Sequence, residues 1–309
     1  MQNSFSFDDT GSGIHRLSGF VIPAWAVTVM IAALVLQHPL FLVGVFLSSI
    51  PVALAARVMR RWAQFMKYMG LMFLVIIIIN VIVSNQGAHV LWQADVHIPL
   101  LGTPVVTFEA IAFGAAMAVR LSAIISAFTL LNMCVHPDEL MRAAIKLRLP
   151  YRSVLITSLS TRFIPVLMED ARTIADVQQS RGLDFSRGGM VERIRNGGAL
   201  IFPLLSNSLD RAAQVAEAME SRAYGARVTR TFYRDAGLAS RDRAALALVG
   251  GALVLAVALW ASGVGSYQYY PVLEALSLSA QGVGWFLLLV VLLSSVSVVG
   301  TVHGGGSVD

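Results

Sequence analysis

The chain has 309 residues, a formal charge of +5 and a mean hydropathy of +0.70, with 56% hydrophobic against 13% charged residues. An ordinary soluble domain carries about 25% charged residues, so this balance excludes a simple soluble fold and requires lipid-facing surface. The single cysteine, Cys134, excludes an intramolecular disulfide and a thiolate metal cluster.

Six segments are apolar enough to be read as membrane spans, each needing roughly 20 residues of helix for a hydrocarbon core of about 30 Å. They are Phe20 to Leu36, Pro39 to Ala56, Tyr68 to Ser84, Thr107 to Leu131, Ala244 to Ser262 and Gln281 to Gly300. The first two are short, are separated only by Gln37 and His38, and carry Pro23 and Pro51, which predicts a tight or kinked hairpin rather than two straight rods. Acidic and polar residues from Asp8 to Ser12 precede the first span and no small-residue cleavage site follows a short apolar core, so this span is expected to stay as an anchor. Arg57, Arg60, Arg61 and Lys67 lie between spans two and three, and seventeen more basic residues run from Arg142 to Arg243. The alternate stretches, Asn85 to Val106 and Gly263 to Ala280, contain no lysine or arginine. Positively charged loops stay inside, so the expectation is a multi-pass protein of the bacterial inner membrane with both termini cytoplasmic. The net charge is mostly this topological signal and carries little weight for nucleic acid.

Span four holds two charges, Glu109 near the outer end and Arg120 towards the cytoplasmic end. A charge in lipid is costly, so Arg120 is expected to face protein or a water-filled crevice. Eleven residues separate the two, about 16 Å of helix, which excludes a direct pair within one helix. Arg120 is read as an internal tie or a subunit contact ahead of a transport ligand. In the outer loop, His89, Asp95 and His97 could meet a metal ion, although their spacing forms no recognised ligand set and plain surface polarity is the favoured reading.

The organisation is then a membrane part with four spans (residues 1–131), a cytoplasmic helical region (132–243) and a second membrane part with two spans (244–309): all-α, a polytopic membrane helix bundle with long amphipathic cytoplasmic helices. In the middle region a helix is predicted over His136 to Leu149, opened by Pro137, Asp138 and Glu139 and stopped at Pro150, and another from Tyr151 through Arg162. Two similar segments follow, Phe163-Ile164-Pro165 to Ser180-Arg181-Gly182 and Phe202-Pro203 to Ser221-Arg222-Ala223-Tyr224-Gly225. Each begins at a proline and ends near a glycine, which predicts amphipathic rods of roughly 24 to 28 Å. In the second, Leu205, Leu209, Ala212, Ala216 and Met219 recur at helical spacing. Between them, Asp184 to Gly198 reads as a turn-rich basic linker with Arg187, Arg193 and Arg195.

Arg181 and Arg222 each stand at the end of such a rod, ahead of a small residue. Two explanations are open. In one, they satisfy the last carbonyls and the negative end of the helix dipole, an effect of about 0.3 to 1 kcal/mol. In the other, the planar guanidinium fork is offered to a carboxylate of a partner whose surface approaches across the small residue. Two such ends, forty-one residues apart, suit a partner made of two similar subunits. No enzyme signature accompanies them: there is no HExxH, GxSxG or CxxC, and neither Lys67 nor Lys146 closes a GxxxxGK[ST] loop.

The run His136-Pro137-Asp138-Glu139-Leu140 through Leu149-Pro150, then Arg162-Phe163-Ile164-Pro165, Gln178-Gln179-Ser180-Arg181-Gly182 and Ala218-Met219-Glu220-Ser221-Arg222-Ala223-Tyr224, resembles the T component of energy-coupling factor (ECF) transporters. The resemblance covers about Asn132 to Ala226 well and Gly13-Ile14-His15-Arg16-Leu17 faintly. It implies a non-catalytic scaffold between a small substrate-binding membrane subunit and two cytoplasmic ATPases, with coupling helices moved by closure of the ATPases. It implies no cofactor on this chain, ATP and Mg being bound by the ATPases, and an ATPase-coupling role for Ser180, Arg181, Gly182, Ser221, Arg222 and Ala223. Vitamin, cobalt and nickel uptake all fit. Ser180 stands where the family usually has alanine and Ala223 where it usually has glycine, and the last span lies beyond the family's common end. Two other readings remain at this point: a self-sufficient secondary carrier using Arg120 and Glu109, and a conventional ABC permease subunit with one docking loop.

Overall fold

The computed structural model describes residues 12, 14, 17–84, 87–93, 105–136, 139–140, 150–183, 190–224, 239–276 and 279–302. Among them the regular structure is helical apart from one pair of antiparallel strands. It divides into two compact units, Met1–Ala143 with Gly237–Asp309, and Ala144–Ala236.

The first unit opens with three short helices, α1 (Val21–Val35), α2 (Pro39–Leu47) and α3 (Ser49–Ala55). At 1.5 Å per residue α1 measures about 22 Å, less than the hydrocarbon thickness. Pro39 pushes His38 into the extended region (ψ 125), which ends the approach from α1. Pro39 then supplies the first turn of α2 while His38 Nδ1 accepts the Leu40 N–H at 3.3 Å. Pro51 has no N–H for the Leu47 carbonyl and its ring crowds that group, so the helix breaks at Ser48. The hydroxyls of Ser48 and Ser49 donate back to the carbonyls of Val45 and Phe46 at 2.7 and 2.6 Å. The first two expected spans are therefore a short, interrupted hairpin.

Among the described residues four helices are long and apolar enough to cross a membrane: α4 (Met59–Val83), α5 (Phe108–Cys134), α8 (Ser240–Ala261) and α9 (Ala280–Val302). Lipid gives apolar helices no solvent-driven reason to associate, so close approach through small residues matters. A Cβ on Gly114 of α5 would lie 3.1 Å from the Ile77 Cα and 3.2 Å from the Asn80 Cβ of α4. A side chain at Gly44 of α2 would collide with the Phe286 ring of α9. Two buried tryptophans find acceptors within the bundle, Trp25 Nε1 donating to the Leu293 carbonyl at 2.8 Å and Trp62 Nε1 to Ser126 Oγ at 2.9 Å. Between α4 and α5, strands β1 (Val90–Gln93) and β2 (Val105–Thr107) pair antiparallel, and Thr107 Oγ1 caps α5 by accepting the Ala110 N–H at 3.2 Å.

The second unit contains α6 (Tyr151–Ser180) and α7 (Met190–Ser221), roughly 45 and 48 Å long. Both exceed the expected rods because Pro165 and Pro203 lie inside the helices rather than at their starts. At Pro203 the reason is specific. The Ala199 carbonyl, which loses its i+4 donor, accepts Gln178 Nε2 from α6 at 3.4 Å. The segment Asp184 to Gly198 is accordingly not all linker, since residues 190–198 belong to α7 despite the weak helix propensity of Gly197 and Gly198. A second tie joins Arg211 Nη2 to Asp170 Oδ2 at 2.7 Å. The pairs 178/199 and 170/211 run in opposite senses, so α6 and α7 form an antiparallel hairpin. The helix expected over His136 to Leu149 lies mostly outside the described residues.

Candidate functional site

The two rod ends fold into the same turn. At the end of α6, the Gly182 N–H donates to the Gln179 carbonyl at 2.9 Å and the Leu183 N–H to the Gln178 carbonyl at 3.1 Å. At the end of α7, the Ala223 N–H donates to the Glu220 carbonyl at 2.8 Å and the Tyr224 N–H to the Met219 carbonyl at 2.9 Å. This double bond pattern is the Schellman motif, which needs a left-handed residue just past the cap. Gly182 (φ +89) supplies it in the first case and Ala223 (φ +52) in the second. Arg181 and Arg222 are thereby both cap residues, and both are exposed.

Those backbone bonds bear on what the arginines do. The helix-end carbonyls of Gln178, Gln179, Met219 and Glu220 already hold N–H donors from the turn, so at those four the backbone rather than a guanidinium does the capping. The hydroxyls of Ser180 and Ser221 are turned back to their own helices, donating to the Asp176 and Ala218 carbonyls at 2.9 and 3.0 Å. Each tip exposes one guanidinium beside a small residue. Because the hairpin is antiparallel, the tips lie at its opposite ends. Arg181 is near the level of Ala199, and the 23 residues from there to Arg222 correspond to about 35 Å of helix.

The two intramembrane charges are placed apart, each with its own partner. Arg120 Nη2 donates to the Leu36 carbonyl at the end of α1 at 3.0 Å, while Nη1 lies 3.4 Å from Met117 Sδ. A cation here meets the negative end of the α1 dipole and an orphan carbonyl together. The same turn is covered by residues 263–276. The Gly265 carbonyl accepts from the Gln37 and His38 N–H groups at 2.8 and 3.0 Å, and the Tyr269 hydroxyl donates to the Gln37 carbonyl at 2.8 Å. Burial pushes the Tyr269 phenol up to about 12, against the opposing pull of Arg120, so it remains a donor.

Glu109 is fully buried, and it accepts from the His89 ring Nδ1 at 2.7 Å and from the His89 N–H at 3.2 and 3.3 Å. Sequence spacing grouped His89 with Asp95 and His97 instead; those two lie outside the described residues, and no set of three metal-ligating side chains occurs among the described ones. The Asp170–Arg211 pair and Asp242 also escaped the sequence reading. The one local signal was at Asp242, an acidic residue in the first turn ahead of an apolar run.

The family model described as CbiQ, cobalt transport protein, matches residues 11–232, ending ahead of α8 and α9. Curated relatives are energy-coupling factor transporter transmembrane proteins (EcfT). That of Heliobacterium modesticaldum is 33% identical over 168 residues, 52% of this chain and 63% of the relative. That of Bacillus selenitireducens is 27% identical over 246 residues, 77% of this chain and 89% of the relative. That of Thermosediminibacter oceani is 33% identical over 198 residues, 60% of this chain and 72% of the relative.

Proposed function

We propose that this chain, which belongs to the CbiQ family of cobalt transport proteins, is the membrane coupling subunit of an ECF-type importer, with both arginine tips as its contacts to ATPases. The observation that carries the reading is the repeated tip: two Schellman turns of the same bond pattern, each presenting one exposed arginine, about 35 Å apart at opposite ends of one hairpin. One tip would dock on each of two cytoplasmic ATPases, its guanidinium paired with a carboxylate in a groove. ATP and Mg would be held by those subunits, and this chain would do no chemistry of its own.

When the ATPases close, the tips would be displaced, and a rigid hairpin would carry that displacement to a small substrate-binding membrane subunit. The charge asymmetry of the loops supports an inner-membrane protein with its termini and tips on the cytoplasmic side. The family description favours cobalt as cargo, with nickel and vitamins as further candidates. Arg120 and Glu109 are each engaged by protein groups, the Leu36 carbonyl and His89, which favours coupling over a self-sufficient carrier that would use them as transport ligands.

The test is capture of ATPases from gently solubilised membranes by the tagged wild-type chain and by Arg181→Glu, Arg222→Glu and the double variant. Breaking a buried charged contact costs about 2 to 5 kcal/mol, so each single reversal is expected to weaken capture at least about tenfold. Full capture by the double variant would rule out the tip assignment.

A further inference from the structure

The unit that holds the membrane bundle takes in the chain up to Ala143 and again from Gly237, and its described residues next to those bounds, Glu139-Leu140 and the start of α8, are the two roots that flank the long-helix unit. Both roots are held by one short stretch ahead of α1. On the return root, Asp242 is only 5% exposed in the first turn of α8 and divides its carboxylate between two backbone donors. Oδ1 accepts the Ser18 N–H at 3.2 Å and Oδ2 accepts the Ala239 N–H at 3.3 Å, with Arg241 Nε 3.8 Å from Oδ1. On the outgoing root, Gly19 approaches so closely that a Cβ there would sit 3.1 Å from both the Cβ and the carbonyl oxygen of Glu139. Apolar burial anchors the same stretch. Ile14 and Leu17 are 1% and 5% exposed, and Ile14 fills the space over Gly300 near the end of α9.

A carboxylate this buried is retained only where its oxygens are bonded, and here one bond is local to the start of α8 while the other joins segments 224 residues apart. Resting on the coupling reading above, we propose that Ile14, Leu17, Ser18, Gly19 and Asp242 form a strap that fixes both roots of the long-helix unit to the bundle. Asp242 is its positioning residue. With the strap closed, displacement of the roots carries α1 and α8 with it. With the strap open, displacement of the roots leaves α1 and α8 where they are.

The experiment places spin labels on cysteines introduced at exposed Thr173 of α6 and Ser262 at the far end of α8, in the complex purified with its own ATPases and membrane subunit. Pulsed dipolar spectroscopy then records the distance with and without ATP and vanadate. The wild-type chain is expected to show one narrow population that shifts with ATP. Asp242→Asn is expected to broaden it and lose the shift while ATPase capture and ATP hydrolysis stay at wild-type level. Should Asp242→Asn fail to assemble, Gly19→Ala carries the same test, because its Cβ presses on Glu139. An ATP-linked shift preserved in the assembled variant overturns the strap and leaves the coupling reading standing. A wild-type chain that captures no ATPase overturns both.

Discussion

The membrane bundle and the helical hairpin are held by different physics. In the bundle, Trp25, Phe41, Leu130, Leu289 and Leu293 are fully buried, and small residues let helices touch. Along the hairpin, Ile164, Met168, Ile201, Phe202, Leu205 and Leu209 are each more than half exposed, and the two helices are tied by the Asp170–Arg211 ion pair and by the hydrogen bond from the Gln178 side-chain amide to the Ala199 carbonyl. A bundle packed on itself keeps its shape alone. A hairpin whose apolar stripe stays uncovered is completed by what it touches, which fits the coupling role proposed for it.

The strongest way to break this comparison is at the tips. The double variant Arg181→Glu, Arg222→Glu is expected to lower ATPase capture by about a hundredfold or more. The thermal unfolding midpoint of the bundle in detergent should not move. A fall in both together would mean the tips also hold up the fold.

Next comes a matched pair of truncations. Leu130→Ala should destabilise the bundle by about 2 kcal/mol, at the low end of core series because lipid rather than water is the alternative surrounding. Leu205→Ala, 53% exposed, should change stability by less than about 0.5 kcal/mol. Denaturant titration in mixed micelles reads both, and equal effects would erase the contrast. A smaller effect is expected at the ion pair: a double-mutant cycle of Asp170→Asn and Arg211→Gln should give about 0.2 to 1 kcal/mol, since 23% and 37% of those side chains are exposed to solvent screening.

The same contrast explains what was legible in the sequence. The long spans were readable because each is a continuous apolar run. The helix expected from Tyr151 does start there, but the break expected after Arg162 and the start expected at Phe202 were misread because Pro165 and Pro203 look like first-turn prolines, whereas the donor that relieves Pro203 comes from Gln178 on another helix. The arginine tips were visible as a repeat. Their common bond pattern was harder to see, because Gly182 advertises a left-handed turn and Ala223 does not. Glu109 with His89, Arg120 with Leu36 and Asp242 with Ser18 are pairings across 20, 84 and 224 residues, and periodicity carries no information about such partners.

The smallest predicted effect separates the two tips from each other. A left-handed conformation costs a non-glycine residue roughly 1 to 2 kcal/mol, and Ala223 bears it at φ +52 while Gly182 does not at φ +89. Ala223→Gly removes that local strain but also frees the unfolded chain, which returns about 0.4 to 1 kcal/mol. The net gain is therefore expected to be about 0.5 kcal/mol, read as slower hydrogen exchange at the Tyr224 amide, whose bond to Met219 closes the turn. Gly182→Ala should do the reverse at Leu183, because no neighbouring atom lies within 4 Å of its Cβ and only the backbone angle opposes the change. If the two tips are equivalent apart from this residue, the double exchange should leave their summed protection unchanged while swapping which tip frays first. Equal exchange at both amides in the wild-type chain would mean that the Ala223 turn is held by something other than its own backbone.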